Sequence, residues 1–326
     1  MTGISRSGVA PVRGDQANCR PEPGRMLASV AGPALVLLLA AWMTSGVLGP
    51  DLPAGEDVTA HLVRADFAIP NLVAKGRLDG WFPRFFVGHQ EFLFNGPGLT
   101  WIMATIRALA LGQLSNPGAL KIVALASFAA LPFGVWFVAR SFGLDVKTSK
   151  IGAILALSVS TPFGIGLHGA FHTGLLSHQV GAVLFCVALG SLLRVMTGTR
   201  RRWIVAASLS GAGLLATHAI SAIVFAVLAP LVLAARLLST PGEARMARGA
   251  IARLALAGGG ALAFAAFWVV PFLAHQDLRG VLTTWGQTSL LDRVGEILGG
   301  SILFRPAMAG AVLVGLVWGV AGRGRR

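Results

Sequence analysis

The sequence predicts an all-α, polytopic membrane protein with about eight transmembrane helices and further helices lying along its outer face. Three observations carry that expectation. Mean hydropathy is +0.72, and only 12% of residues are charged against 55% apolar, too few charges for an ordinary soluble surface. The apolar residues also come in long runs. Residues 33–48 hold no ionisable group and 251–272 hold only Arg253, close to the roughly 20 residues that a ~30 Å hydrocarbon core asks of a helix. Finally, Lys and Arg gather in the short segments between these runs, as cytoplasmic loops do. The net charge of +14 therefore reads as membrane topology rather than as a nucleic-acid footprint.

In chain order, residues 1–25 are rich in Gly, Pro and Arg without apolar periodicity and are expected to form a disordered cytoplasmic tail. Residues 26–322 make the transmembrane domain. Its first helix, 26–48, is long for a signal peptide's apolar region and has no clean small-x-small cleavage site, so it is expected to stay as an anchor. Arg6, Arg13, Arg20 and Arg25 hold the N-terminus inside. Residues 49–117 then form a first outer loop with juxtamembrane helices.

The decisive segment is 92–112, which is hydrophobic enough to span but carries Asn95-Gly-Pro-Gly near its start and Arg107 near its end. If it lies along the surface, the remaining spans fall at about 118–140, 150–166, 178–197, 203–217, 219–238, 251–273 and 300–321. The loops bearing Arg140/Lys147/Lys150, Arg200-Arg-Arg202 and Arg236/Arg245/Arg248/Arg253 then all face inward. That assignment places 18 Lys and Arg with 4 Asp and Glu inside, and 9 of each outside. If 92–112 spanned, the later loops would be reversed against the positive-inside rule. The chain is thus expected in the plasma membrane, N-terminus cytoplasmic, with a basic cytoplasmic end at 323–326. Ending on that run, it reads as a truncated or fragmentary relative of longer proteins.

The same assignment brings all seven histidines to the outer side. The fifth span, 203–217, is about 22 Å long at 1.5 Å per residue, so a hairpin tip at Thr217-His218-Ala219 is expected below the outer surface, with His218 facing a cavity. Gly258-Gly-Gly260 lies within a span and suits close helix packing. Cys19 and Cys186, in the tail and in a helix, form neither a disulfide framework nor a metal site.

Chemistry-bearing residues concentrate in the first outer loop. Asp57, His61 and Arg64 are spaced to share one helix face. Asp57 sits where helical N–H groups favour a carboxylate, and it can act as a general base on a hydroxyl. The competing reading is that Glu56 or Asp57 only caps the helix. Arg77, Trp81 and Arg84 suit either an interfacial segment with snorkelling cations or a lipid-phosphate site. His168-Gly-Ala-Phe-His172 has the spacing of a metal pair, with His178 beyond, but no Asp, Glu or Cys nearby completes a zinc set; phosphate or sugar contact is the preferred role. No cofactor is expected, and a divalent metal stays an open alternative.

Read together, Asp57-x3-His61, Gly76-Arg-Leu-Asp-Gly-Trp81-Phe-Pro, Gly88, Leu215-Ala-Thr-His218 and Phe267-Trp-Val-Val-Pro271-Phe-Leu-Ala-His275 resemble the GT-C superfamily of polyprenyl-phosphate-dependent glycosyltransferases. More closely, they resemble the membrane family labelled as related to 6-pyruvoyl-tetrahydropterin synthase, which includes the amino-terminal regions of D-type arabinofuranosyltransferases. The resemblance implies a GT-C-like fold and sugar transfer from a polyprenyl-phosphate carrier to an envelope glycan or lipid at the outer face, usually with inversion. The first-loop acid, here Asp57, is implied as base, and Glu56, His61, Arg64, Arg84, His168, His172 and His218 become the candidate substrate-binding residues. The chain departs from the family where 88–95 lacks the usual Gly-Tyr-Pro stretch, and where 167–179 lacks the second outer-loop acid. The alternative class is a non-catalytic membrane protein that transports, flips or scaffolds polyprenyl-linked glycans.

Overall fold

The computed structural model describes residues 23–85, 88–160, 165–239 and 249–275, with side chains from Gly32 onward. It is mostly helical. The first long helix, α1 (Pro23–Met43), ends short of residue 48 in a 3-10 turn at Ser45–Leu48. Its end is set by Thr44, whose hydroxyl donates to the Ala40 carbonyl at 2.7 Å, in a Thr-Ser-Gly run that favours local turns over helix. The next region carries α2 (Glu56–Asn71), a two-stranded antiparallel hairpin of β1 (Gly80–Phe82) and β2 (His89–Glu91), and α3 (Gly98–Leu109). The small hairpin is the one departure from an all-α architecture among the described residues.

At 12 residues, or about 18 Å, α3 is too short to cross a hydrocarbon core, in keeping with its expected place outside the spans. It buries Leu99 and Met103 in a cluster with Val58, Leu62 and Ala65 of α2. The chain bends sharply before and after it, at Phe92 (φ 67°) and Leu111 (φ 51°). Phe92 accepts a backbone conformation unusual for a bulky residue because its side chain is buried with Ala68 and Leu72.

The bundle follows. It comprises α4 (Asn116–Phe142), α5 (Val146–Ala156), one-turn α6 (Gly166–His168) running into a π turn at Gly169–Thr173, α7 (Leu176–Thr197), α8 (Arg201–Thr217), α9 (Ala219–Ser239) and α10 (Ala250–Ala274). Packing runs α5–α4–α7–α8–α10, with α9 against α7 and α8. Small residues bring the backbones close, as polar-poor helix interfaces require. A Cβ on Gly134 of α4 would lie 2.9 Å from the Cys186 Cβ of α7, and one on Gly260 would lie 2.5 Å from the Ser208 hydroxyl. Of the three consecutive glycines in α10, Gly260 alone meets a neighbour among the described residues.

Among the described residues four helices are long and apolar enough to cross a membrane, within Asn116–Phe142, Leu176–Thr197, Ala219–Leu237 and Ala250–Ala274, which fits a membrane protein and accounts for four of the eight expected spans. Where a span is expected at 150–166, helix α5 ends at Ala156, and Ser158 beyond it donates to the Leu155 carbonyl at 2.7 Å, a local bond that competes with helix continuation. Helix α8 has 17 residues and ends at Thr217, with His218 alone separating it from α9. Of the tail expected at 1–25, residues 23–25 instead begin α1; its first 22 residues, the span at 300–321 and the end at 323–326 lie outside the described residues.

Helix connections sort the bundle into two unlike ends. At one, Arg194 Nε donates to Ser141 Oγ at 3.1 Å, Arg140 caps the Leu144 carbonyl at 2.5 Å, Arg253 reaches the Val195 carbonyl at 3.4 Å, and Arg236 lies over the Phe142 ring at 5.8 Å. The other end gathers the first loop, the α5–α7 connection and the α8–α9 tip.

Candidate functional site

Helix α2 starts at Gly55, whose φ of 145° and lack of side chain leave the first turn without a side-chain cap. Glu56 and Asp57 lie inside that turn, so neither caps the helix. The reason for the glycine is overhead: a Cβ on Gly55 would stand 2.7 Å from the Gly174 Cα. Gly174 is itself left-handed (φ 84°), and a Cβ there would fall 2.9 Å from Val58 N and 3.0 Å from Asp57 N. Two glycines thus let the connection bearing His168 and His172 lie directly over the turn bearing Asp57. Burial, and then the neighbouring Glu56 charge, push the Asp57 carboxyl above its ordinary value of 3.8. A raised carboxyl is a stronger base once ionised.

His61 follows one turn on, with its Nε2 buried and without a hydrogen-bond partner among the described residues. Burial, reinforced by the Arg64 charge and opposed by the Gly174 backbone of the same crossing, lowers its pKa from 6.5 to about 4, and His61 is a neutral imidazole at pH 7.

Arg64, expected to bind substrate, is instead engaged by Glu91. Its Nε donates to Oε1 and Oε2 at 2.8 and 3.1 Å, and a terminal nitrogen donates to Oε1 at 2.5 Å. Glu91 is fully buried. This forked pair pins β2 onto α2. The adjacent His89 accepts from the Asn95 amide at 3.2 Å, and burial, aided by the Arg64 charge and opposed by Glu91, lowers its pKa. Gly88 (φ 105°) is required at the hairpin because a Cβ would collide with the Trp81 ring, joining two positions of the sequence motif in one contact.

Arg84 stands at neither Asp57 nor the histidine loop. It lines a cleft with Val63, Asp66, Phe67 and Asn71 of the second half of α2. His168 and His172 do meet, their ring centroids 4.4 Å apart. His178 turns away from them and stacks on His218 at 4.5 Å and 9°. His218 Nδ1 accepts the Ser221 N–H at 3.2 Å, which caps α9 and leaves any proton of the neutral ring on Nε2. It is His178, rather than the expected His218, that lines a cavity of about 360 Å³ between α4, α5, α7 and α9, otherwise apolar apart from Ser221 and Cys186. Among the described residues no three His, Cys, Asp or Glu side chains converge as metal ligands.

The α8–α9 tip closes the assembly. A Cβ on Gly96 would meet the Ala216 carbonyl oxygen at 2.0 Å, and one on Gly98 the Thr217 hydroxyl at 2.3 Å; Asn95-Gly-Pro-Gly is therefore the seat for the end of α8. Trp101 of α3 stacks on Phe267 of α10 at 4.9 Å. Sequence reasoning placed Asp57, His61, His168, His172 and His218 at one end, and they are there. It missed Glu91, Asp66 and the His178–His218 stack, and no spacing signal marks them. Compared with known proteins, the chain matches no protein-family model and no curated protein sequence.

Proposed function

We propose that this chain is a GT-C-type glycosyltransferase that moves a sugar from a polyprenyl-phosphate donor to a hydroxyl of an envelope glycan or lipid at the outer membrane face. The observation that supports this most is the crossing of Gly174 over the first turn of α2, because it sets a carboxylate of raised pKa beside a loop carrying two histidines in ring contact. In this reading Asp57 takes the proton of the acceptor hydroxyl as its oxygen bonds the anomeric carbon. The bond from that carbon to the phosphate oxygen breaks with inversion, and the polyprenyl phosphate leaves with the electron pair. His168 and His172 donate hydrogen bonds to the phosphate oxygens. The end holding Arg140, Arg194, Arg236 and Arg253 faces the cytoplasm, as the distribution of Lys and Arg favours.

The test is sugar transfer by the purified full chain in lipid vesicles, given a panel of labelled polyprenyl-phosphate pentoses and hexoses. The expected result is release of unglycosylated polyprenyl phosphate with label in the acceptor. Passage of intact labelled carrier across the bilayer, without transfer, contradicts it and supports a transporter instead.

A further inference from the structure

Arg84 is the candidate phosphate ligand that the fold carries away from Asp57, and its surroundings have a chemistry of their own. The cleft it lines has a volume of about 460 Å³, within the roughly 300–1,000 Å³ of small-ligand sites. Three kinds of polar group converge there: the Asp66 carboxylate, the Asn71 side-chain amide and the Arg84 guanidinium. Asn71 uses its amide nitrogen on the Phe67 carbonyl at 2.9 Å, which leaves its Oδ1 as an acceptor. Asp66 accepts from Asn116 through Oδ1 at 2.5 Å, and its second oxygen has no partner among the described residues. Arg84 makes no hydrogen bond or ion pair among the described residues, so its five donors face the cleft or solvent.

The apolar side is equally built. Phe67 and Phe82 stack at 4.2 Å with planes 2° apart, and Pro83 completes the wall. The stack holds β1 against α2 and so keeps Arg84 on the rim of the cleft that Asp66 and Asn71 line. An anchored carboxylate and amide acceptor, with an uncommitted guanidinium beside them and an apolar wall below, match a ligand that offers several neutral hydroxyls on one side and C–H groups on the other. Asp66 also forms the ridge to a second cleft of about 770 Å³, lined further by Arg107, Ser115 and Asn116. There Arg107 donates to Asn116 Oδ1 at 2.9 Å. Two clefts sharing one carboxylate suit a ligand longer than one sugar ring.

We infer that the Asp66–Asn71–Arg84 cleft is a carbohydrate-binding subsite that holds an oligosaccharide stretch of the acceptor. This rests on the proposed glycosyltransferase reading and deepens it. Asp66 lies nine residues beyond Asp57, about 13 Å along α2 and half a turn around it, so an acceptor gripped here runs on around the helix to reach the base and must be several sugar rings long. The acceptor is then a glycan chain rather than a single-sugar lipid.

The experiment is binding of neutral trisaccharides of glucose, mannose, galactose and arabinofuranose to the full chain in nanodiscs, followed by saturation-transfer NMR and calorimetry. At least one trisaccharide should bind, and Arg84→Ala and Asn71→Leu should each weaken it tenfold or more. Arg84 is exposed, so its removal leaves the fold in place, and circular dichroism checks this for both variants. Asp57→Asn should keep trisaccharide binding, which separates the two ideas: loss of transfer with retained binding upholds both, whereas retained transfer in Asp57→Asn overturns the mechanism and leaves the cleft standing. Absence of binding by any trisaccharide, or binding indifferent to both cleft substitutions, overturns the inference. So does Arg84-dependent binding of phosphatidylglycerol vesicles without trisaccharide binding, which makes the cleft a lipid-headgroup contact.

Discussion

Two aspartates begin helices at opposite ends of this bundle, and they are set up in opposite ways. Asp145 is the N-cap of α5: its side chain accepts from Lys147 N and Thr148 N at 2.8 and 3.0 Å and from the Thr148 hydroxyl at 2.6 Å. Those hydrogen bonds, the hydroxyl's first, hold its pKa below the ordinary value. Asp57 sits one step inside α2, makes no cap, and is pushed the other way by burial and by Glu56. A carboxylate whose lone pairs are spent on its own helix is a structural part; one kept uncapped and destabilised as an anion is available to take a proton. The same contrast holds for the ends as wholes. The basic end uses its arginines one at a time on carbonyls, a hydroxyl and aromatic faces. The histidine end brings three distant segments into backbone contact through glycines.

The largest structural effect that separates the ends is expected at the buried ion pair. Glu91→Ala leaves Arg64 enclosed without its partner, and breaking a buried pair in this way costs about 3–5 kcal/mol; denaturant titration in detergent would measure it. Replacing both residues with apolar ones of similar volume should recover most of that loss.

His61 comes next. Its pKa is 6.5 unfolded and about 4 folded, so the folded state resists the proton that the unfolded chain accepts. Its contribution is fully present above pH 6.5, falls as pH drops, and is gone below about 4, a swing of about 3 kcal/mol. Thermal melts from pH 7 to 4 should show this loss, and His61→Asn should flatten the profile.

Smaller still is Gly174→Ala. A left-handed φ and a Cβ only 2.9 Å from Val58 N predict about 1–3 kcal/mol of strain, with reduced transfer as the loop lifts from Asp57. Gly143→Ala at the basic end, also left-handed but facing the movable Arg236 guanidinium, should lower the melting temperature and leave transfer alone. The subtlest effect belongs to Glu56→Gln. Removing the adjacent negative charge should move the acid limb of the transfer rate to lower pH, because that charge is part of what raises Asp57.

What could be read from the chain follows from range. Glu56-Asp57-x3-His61 announces the start of α2 through local spacing, and Arg107 with Asn95-Gly-Pro-Gly marks 92–112 as something other than a span; α3 duly covers only Gly98–Leu109. Thr217-His218 ends α8 at the expected residue. The gathering of the described histidines at the end away from Arg140, Arg194, Arg236 and Arg253 was likewise legible, since it depends only on the order of loops. Contacts set by tertiary packing were not. Arg64 and Glu91 are 27 residues apart, and no pattern says that one neutralises the other. Arg84 is expected at the donor phosphate with His168 and His172, but the hairpin that the Phe67–Phe82 stack holds on α2 carries it to a cleft at the far half of that helix. The helix expected at 150–166 is lengthened by its hydropathy, which does not register that Ser158 turns back onto the Leu155 carbonyl.

In the proposed mechanism the uncapped aspartate does chemistry and the capped one does not. The most direct measurement is the transfer rate of Asp57→Asn beside Asp145→Asn, each at matched amounts in vesicles with a labelled polyprenyl-phosphate sugar. Loss of a general base predicts a fall of about 10²–10⁴-fold for Asp57→Asn, with Asp145→Asn staying near the unmodified rate. Equal rates for the two variants, or a loss confined to Asp145→Asn, would contradict it.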